Sequence, residues 1–216
     1  MKQMKNTLTT LLLLFVMTVS AQDAKFEKSI MKDLDLMENA GTNEEWQSIT
    51  NSFERIAAAE PKQWLANYYA GMSNILTGMR QESNDKKDEY YNKALSYVEK
   101  ADELSADNSE IFVLKSWILG MKISIDPMNR GREMGAEAGT LTSRARELDP
   151  SNPRAYYLMG QSAMYTPEQF GGGKKIAMPL LETSLEKFKT FKPSSPIMPR
   201  WGERQAQAAM EQCQKM

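Results

Sequence analysis

The sequence predicts an all-α fold, an α-α superhelix of about four antiparallel helix pairs closed by a C-terminal capping helix. Three observations predict it. The segment Ala101-Asp-Glu-Leu104-Ser-Ala-Asp-Asn108 returns 44 residues later as Ala145-Arg-Glu-Leu148-Asp-Pro-Ser-Asn152. Each copy leads into an apolar helical stretch with a leucine at the same offset, Leu114 and Leu158. Weaker copies of the turn flank these two: Pro61 lies 45 residues before Ala106, and Pro193 lies 43 residues after Pro150. Turns so evenly spaced mark supersecondary units that bury their apolar faces against one another. Nowhere do β-branched and polar residues alternate as a half-buried strand requires.

The elements follow in order. Residues 1–21 read as a cleavable signal peptide, with Lys2 and Lys5 as the basic start, Leu11 to Val16 as the apolar centre, and Val19-Ser20-Ala21 as the cleavage site, cut after Ala21. The apolar run is too short to span a bilayer. Residues 22–216 then form one helical domain, exported to the periplasm or beyond. Phe26, Ile30, Leu34 and Met37 stripe a first helix that ends near Gly41. Thr42 or Asn43 caps a second, striped by Trp46, Ile49, Phe53 and Ile56. A third is expected from about Pro61 to Met79, and the polar run 80–88 is expected as a loop. A fourth carries Ala94, Val98 and Ala101, and a fifth runs from Ser109 to about Ile125. Asp126-Pro127 and Asn129-Arg-Gly131 signal a turn before a sixth, which carries Ala138 and Ala145. Pro153 suits the first position of a seventh, and Gly171-Gly-Gly173 separates it from an eighth. The last helix, from about Pro199 to Gln214, bears Glu203, Arg204, Gln207, Glu211 and Gln214 as a polar outer face.

Composition narrows the chemistry. Without the leader, 25 basic residues stand against 28 acidic ones, so nothing draws the chain strongly to nucleic acid or an anionic membrane surface. Cys213 is the only cysteine, which excludes an intrachain disulfide and a thiolate metal site. The chain has no histidine. Ser-His-Asp and Cys-His hydrolysis and histidine-bound zinc are therefore excluded. Asp33, Asp35 and Glu38 lack the glycine-centred loop of an EF-hand and read as the wet face of the first helix. Gly171-Gly-Gly-Lys174-Lys175 lacks the Ser or Thr of a Walker motif and reads as a loop between helices. No catalytic residue, metal or cofactor is expected, and the protein is expected not to be an enzyme.

The unit around Pro150 resembles a tetratricopeptide repeat (TPR). Its small residues seven apart, followed five residues later by the turn proline, are Ala138, Ala145 and Pro150; Ala94, Ala101 and Ala106 repeat them. A large-then-small pair in the following helix is Met159-Gly160; Ala70-Gly71 holds the same two positions two repeats earlier, and in the repeat between them Lys115-Ser116 stands there, where only Ser116 fits. Helices that approach within 8–10 Å leave room only for small side chains at the crossing. The repeat here is 43 to 45 residues rather than about 34, so roughly ten extra residues are expected between paired helices, at 80–88, 126–130 and 166–174. The exported leader, Trp64-Leu65 opening a Tyr-rich helix, Asp126-Pro127-Met128, and Lys192-Pro-Ser-Ser-Pro196 before Trp201-Gly202 together look like small exported TPR-like proteins of Gram-negative bacteria, a resemblance that implies an exported helical repeat protein and no assigned activity.

The resemblance implies that positions two, five, nine and twelve of each unit line a concave groove. Those positions include Tyr68 and Met72, Val113 and Trp117, and Arg154, Tyr157 and Gln161. A lining so aromatic and apolar suits a peptide or an apolar ligand. The same row could instead pack against another part of the chain. Two functions fit: a scaffold that binds a protein or peptide, with Tyr68, Trp117 and Tyr157 as anchors, or a periplasmic small-molecule binding protein that serves a transport system.

Overall fold

The computed structural model describes residues 23–216; the expected leader and its cleavage after Ala21 lie outside them. The described residues form nine α-helices and no strand. They are α1 over 23–39, α2 (Asn43–Ala59), α3 (Trp64–Gly78), α4 (Asn84–Leu104), α5 (Ser109–Ile125), α6 (Pro127–Leu148), α7 (Pro153–Tyr165), α8 (Lys174–Thr190) and α9 (Glu203–Lys215). None of the described helices is long and apolar enough to cross a membrane.

Caps set where most of these helices begin. Thr42 Oγ1 accepts from the Glu45 amide at 3.2 Å while the Glu45 carboxylate accepts from the Thr42 amide at 2.9 Å, closing a capping box on α2. Those backbone donors hold the Glu45 carboxyl below its ordinary range. Asn108 and Asn152, equivalent in the two strongest repeats, each cap the helix that follows by accepting from the amide two residues on, at 3.0 Å.

Neighbours in sequence pack as hairpins, α3 on α4, α5 on α6 and α7 on α8, with α2 against α3 and α9 against α8. The crossing point of each hairpin carries the small residue expected there. A Cβ on Gly71 would sit 2.5 Å from Val98 Cγ2 and 3.1 Å from the Ala94 carbonyl oxygen. In the next hairpin Ser116 Oγ donates to the Ala138 carbonyl at 3.1 Å. In the third, a Cβ on Gly160 would meet Leu181 Cγ at 2.7 Å and the Ala177 carbonyl oxygen at 3.3 Å. Ala94, Ala101 and Ala145 are wholly buried, whereas Ala138 is half-buried and Ala106 exposed.

Two expected loops are in larger part helix. Ser83 accepts from the Lys86 amide at 3.3 Å and starts α4 within the run expected as a loop. Asp126 alone separates α5 from α6: it caps the Asn129 amide at 3.3 Å, and Pro127 fills the first helical position, where its missing N–H costs nothing. The extra length of each repeat therefore lies mostly in the second helices, 21 residues in α4 and 22 in α6 against 15 in α3 and 17 in α5. The third hairpin has the longest loop, which holds the 3-10 turn Glu168–Phe170; residues 79–83 form a shorter one between α3 and α4. Pro61 and Lys62 form the turn before α3 rather than its first residues.

The last helix closes the array. Ala206, Ala209, Met210 and Cys213 are buried, while Glu203, Arg204, Gln207, Glu211 and Gln214 are exposed.

Candidate functional site

The expected ligand row lies on α3, α5 and α7, which contact one another in that order. It is not open. Tyr68, Val113 and Arg154 are wholly buried and Met72, Trp117 and Tyr157 are nearly so; only Gln161 is half-exposed, its amide donating to the Tyr157 hydroxyl at 2.9 Å. Part of the cover is the chain's own strap, the non-helical stretch 191–202 between α8 and α9.

Three of the seven predicted residues converge on one residue of that strap, Trp201. Its indole stacks on Trp117 with ring centroids 4.7 Å apart and planes 29° off parallel. Its ring N–H donates to the Tyr68 hydroxyl at 2.8 Å, and its carbonyl accepts from Arg154 Nη1 at 3.1 Å. Beside it the Tyr69 hydroxyl donates to the Ile197 carbonyl at 2.7 Å. Burial, reinforced by the negative charge of Glu110, pushes the Tyr68 and Tyr69 hydroxyls well above the ordinary tyrosine range. Burial raises Tyr157 to about 12. All three are neutral hydrogen-bonding groups at physiological pH.

Gly202 turns the strap into α9 at φ +115°, in the left-handed region. A Cβ there would lie 2.8 Å from the Phe188 ring and 3.1 Å from Arg154 Cγ. Glycine is required on both counts.

Arg154 also floors a cleft of about 630 Å³ between the α4–α5 turn, the α6–α7 turn and the strap. Its guanidinium is fully buried and meets Glu110 through Nε at 2.8 Å and Nη2 at 2.5 Å. Asn152 donates to Glu110 and to Ser109 Oγ, both at 2.9 Å, so the floor is a closed polar network. Desolvation opposes the charge on Arg154, but the Glu110 carboxylate outweighs it and holds the guanidinium above its ordinary range.

The cleft walls mix apolar surface with positive charge. Phe191, Met198, Pro199 and Leu148 supply the first, Lys187 and Lys192 the second. The acids there are engaged: Glu110 with Arg154, Asp107 with Arg144 at 2.9 Å, Asp149 with the Ser151 amide and hydroxyl. Lys187 lies over the Tyr156 ring at 4.8 Å, and Lys192 makes no ion pair among the described residues. A flat apolar molecule with carboxylates on one edge fits this lining by chemistry: ring faces against carbon, carboxylates toward the lysines. With no histidine in the chain, no imidazole can bind a metal carried by such a molecule; Met198 brings a thioether to the cleft wall.

The triglycine segment is closed to phosphate. The amides of Gly171, Gly172 and Gly173 donate to the carbonyls of Glu168, Pro167 and Ala163 at 3.0, 3.2 and 2.8 Å. Asp33, read as solvated from the sequence, is buried instead, with Oδ2 unpartnered among the described residues.

Sequence reasoning missed Trp201, Tyr69 and the strap. Trp201-Gly202 was visible as a pair but has no periodicity to place it.

The fold and site together define a helical-hairpin protein with an aromatic row covered by its own C-terminal strap and a mixed apolar and cationic cleft beside it. No protein-family model and no curated protein sequence matches the chain. Among solved structures it is similar to the HusA haemophore from Porphyromonas gingivalis, at a TM-score of 0.79 and 32% identity, over 88% of this chain and 93% of that one. At that identity and coverage, the chain belongs to the family of the HusA haemophore.

Proposed function

We propose that this protein binds haem, or a closely related tetrapyrrole, outside the cytoplasm and passes it to an envelope transport system. The observation that carries this reading is the 32% identity to a haemophore over nearly the full length of both chains. The 630 Å³ cleft supports it, because its size and lining suit a planar apolar ring bearing carboxylates. Of the two functions the sequence allows, the small-molecule carrier gains support. The peptide scaffold loses it, because the row meant to hold the peptide is largely buried, with the strap across part of it. The repeated tight crossings at Gly71, Ser116 and Gly160 support a tetratricopeptide-like winding of the hairpins.

In this reading Lys187 and Lys192 hold the carboxylate edge and Phe191, Met198 and Leu148 meet the ring. The test is titration of the purified protein with haemin, followed by its absorbance band. Saturable uptake at one ligand per chain, weakened when both lysines are changed to glutamine, is expected. Uptake no different from that by an unrelated helical protein would reject the reading.

A further inference from the structure

Trp201 is seated on the aromatic row as a ligand would be. It brings a flat ring against Trp117, a ring N–H to the Tyr68 hydroxyl and an acceptor to Arg154. All three partners belong to the row that the tetratricopeptide resemblance places at the groove, and they come from three helices, α5, α3 and α7. The strap that delivers the indole contributes little secondary structure of its own; its one internal backbone bond runs from the Met198 amide to the Ser195 carbonyl at 3.2 Å. The strap also walls the cleft through Phe191, Met198 and Pro199, and Arg154 is shared between the cleft floor and the Trp201 carbonyl. Cleft and row are therefore two sides of one partition.

We propose that the slot bounded by Trp117, Tyr68 and Arg154 is a binding site for a planar aromatic ring, filled by Trp201 in the free protein and by the leading edge of the tetrapyrrole when cargo enters the cleft. This rests on the carrier reading above for the identity of the cargo, but not for the existence of the slot. The chemistry of exchange is balanced. Cargo stacking on Trp117 replaces indole stacking, and water admitted with the cargo replaces the Trp201 carbonyl as acceptor for Nη1. The Tyr68 hydroxyl, released from the indole, turns to the incoming ring or to water. Trp201 then acts as a competitor tethered to the site, and a tethered competitor lowers apparent affinity by the fraction of time it leaves the slot free.

Two measurements decide this. In the first, wild type, Trp201→Phe and Trp201→Ala are titrated with haemin, with helicity checked by circular dichroism. If the slot is free about a tenth of the time in the wild type, removing the plug tightens haemin binding about tenfold, with Trp201→Phe between the two. A merely structural wall predicts the opposite order. In the second, free indole is added during thermal melts of wild type and Trp201→Ala. A rise in midpoint for the variant alone is expected, because only there is the slot vacant. Haemin bound equally or more weakly by Trp201→Ala overturns the slot as the cargo site and leaves the carrier reading standing. No haemin uptake by any of the proteins, with indole still stabilising the variant, overturns the carrier reading and leaves a slot for planar rings. Absence of an indole effect overturns the slot. Should Trp201→Ala not fold, Trp201→Phe carries the haemin comparison, and affinity at or below wild type counts against the proposal.

Discussion

Glu110 and Arg154 stand 44 residues apart, at the same position of successive repeats, and their side chains meet in a two-pronged ion pair, at 2.5 and 2.8 Å, with the guanidinium wholly buried. The equivalent position one repeat earlier is Leu65, which is also buried. A repeat array that kept one residue type here would stack like on like. This chain instead places opposite charges at consecutive copies, which fixes how the α7 hairpin sits on the α5 hairpin.

Removing one member strands the other in a dry site. Arg154→Met is expected to lose about 3–5 kcal/mol in urea unfolding, and adding Glu110→Leu to recover a good part of it, since an apolar pair of similar volume avoids the desolvation cost. A single variant as stable as wild type would show that water reaches the pair.

Glycines at crossings and glycines on open faces should respond with opposite signs. Gly71→Ala adds a methyl 2.5 Å from Val98 Cγ2 and is expected to cost about 1–3 kcal/mol despite better helix propensity. Gly135, inside α6 with nothing within 4 Å of its missing side chain, is expected to gain up to about 1 kcal/mol on change to alanine. Parallel urea melts of the two variants check the contrast.

Alkali should unfold the protein early. Burial holds Tyr157 near 12, and Tyr68 and Tyr69 also above their ordinary value of about 10. A raised folded-state pKa means stability fully present below about pH 10, where the unfolded tyrosines are still protonated. It is then lost as pH climbs through 10 to 12, on the order of 2 kcal/mol from Tyr157 alone. Melting midpoints across that window, alongside phenolate absorbance, give the measurement.

Cargo affinity should follow the charge at the cleft rim. Lys192→Gln is expected to weaken haemin binding roughly two- to fivefold, the scale of one exposed charge contact. The dimethyl ester of the same porphyrin, which has no carboxylates to hold, should bind wild type and variant alike.

Much of the fold was legible because the repeat is written in local chemistry. Asn108 and Asn152 cap, Gly71, Ser116 and Gly160 mark the crossings, and the polar row on α9 faces water as its spacing requires. The expected loops over 80–88 and 126–130 misled because charged residues look alike on an exposed helix face and in a loop; Asp88 and Arg130, read as loop, pair at 2.6 and 2.7 Å across the first turns of two helices. At the site, the row follows from the tetratricopeptide resemblance, placed on this chain by counting from the turns, and Tyr68, Trp117 and Arg154 meet at one place. What meets them could not be counted. The strap has no helical period, and its anchors are 128 and 133 residues away in sequence.

Those long-range anchors bear on how the molecule comes apart. Stacked-hairpin proteins ordinarily shed units from either end, because each unit touches only its neighbours. Here a segment that follows the last hairpin is fastened to α3, α5 and α7 at once, like a belt drawn across rungs. Fraying from the C-terminal edge must release that belt everywhere, so the part of the chain from α3 to α9 is expected to melt as one cooperative block rather than rung by rung.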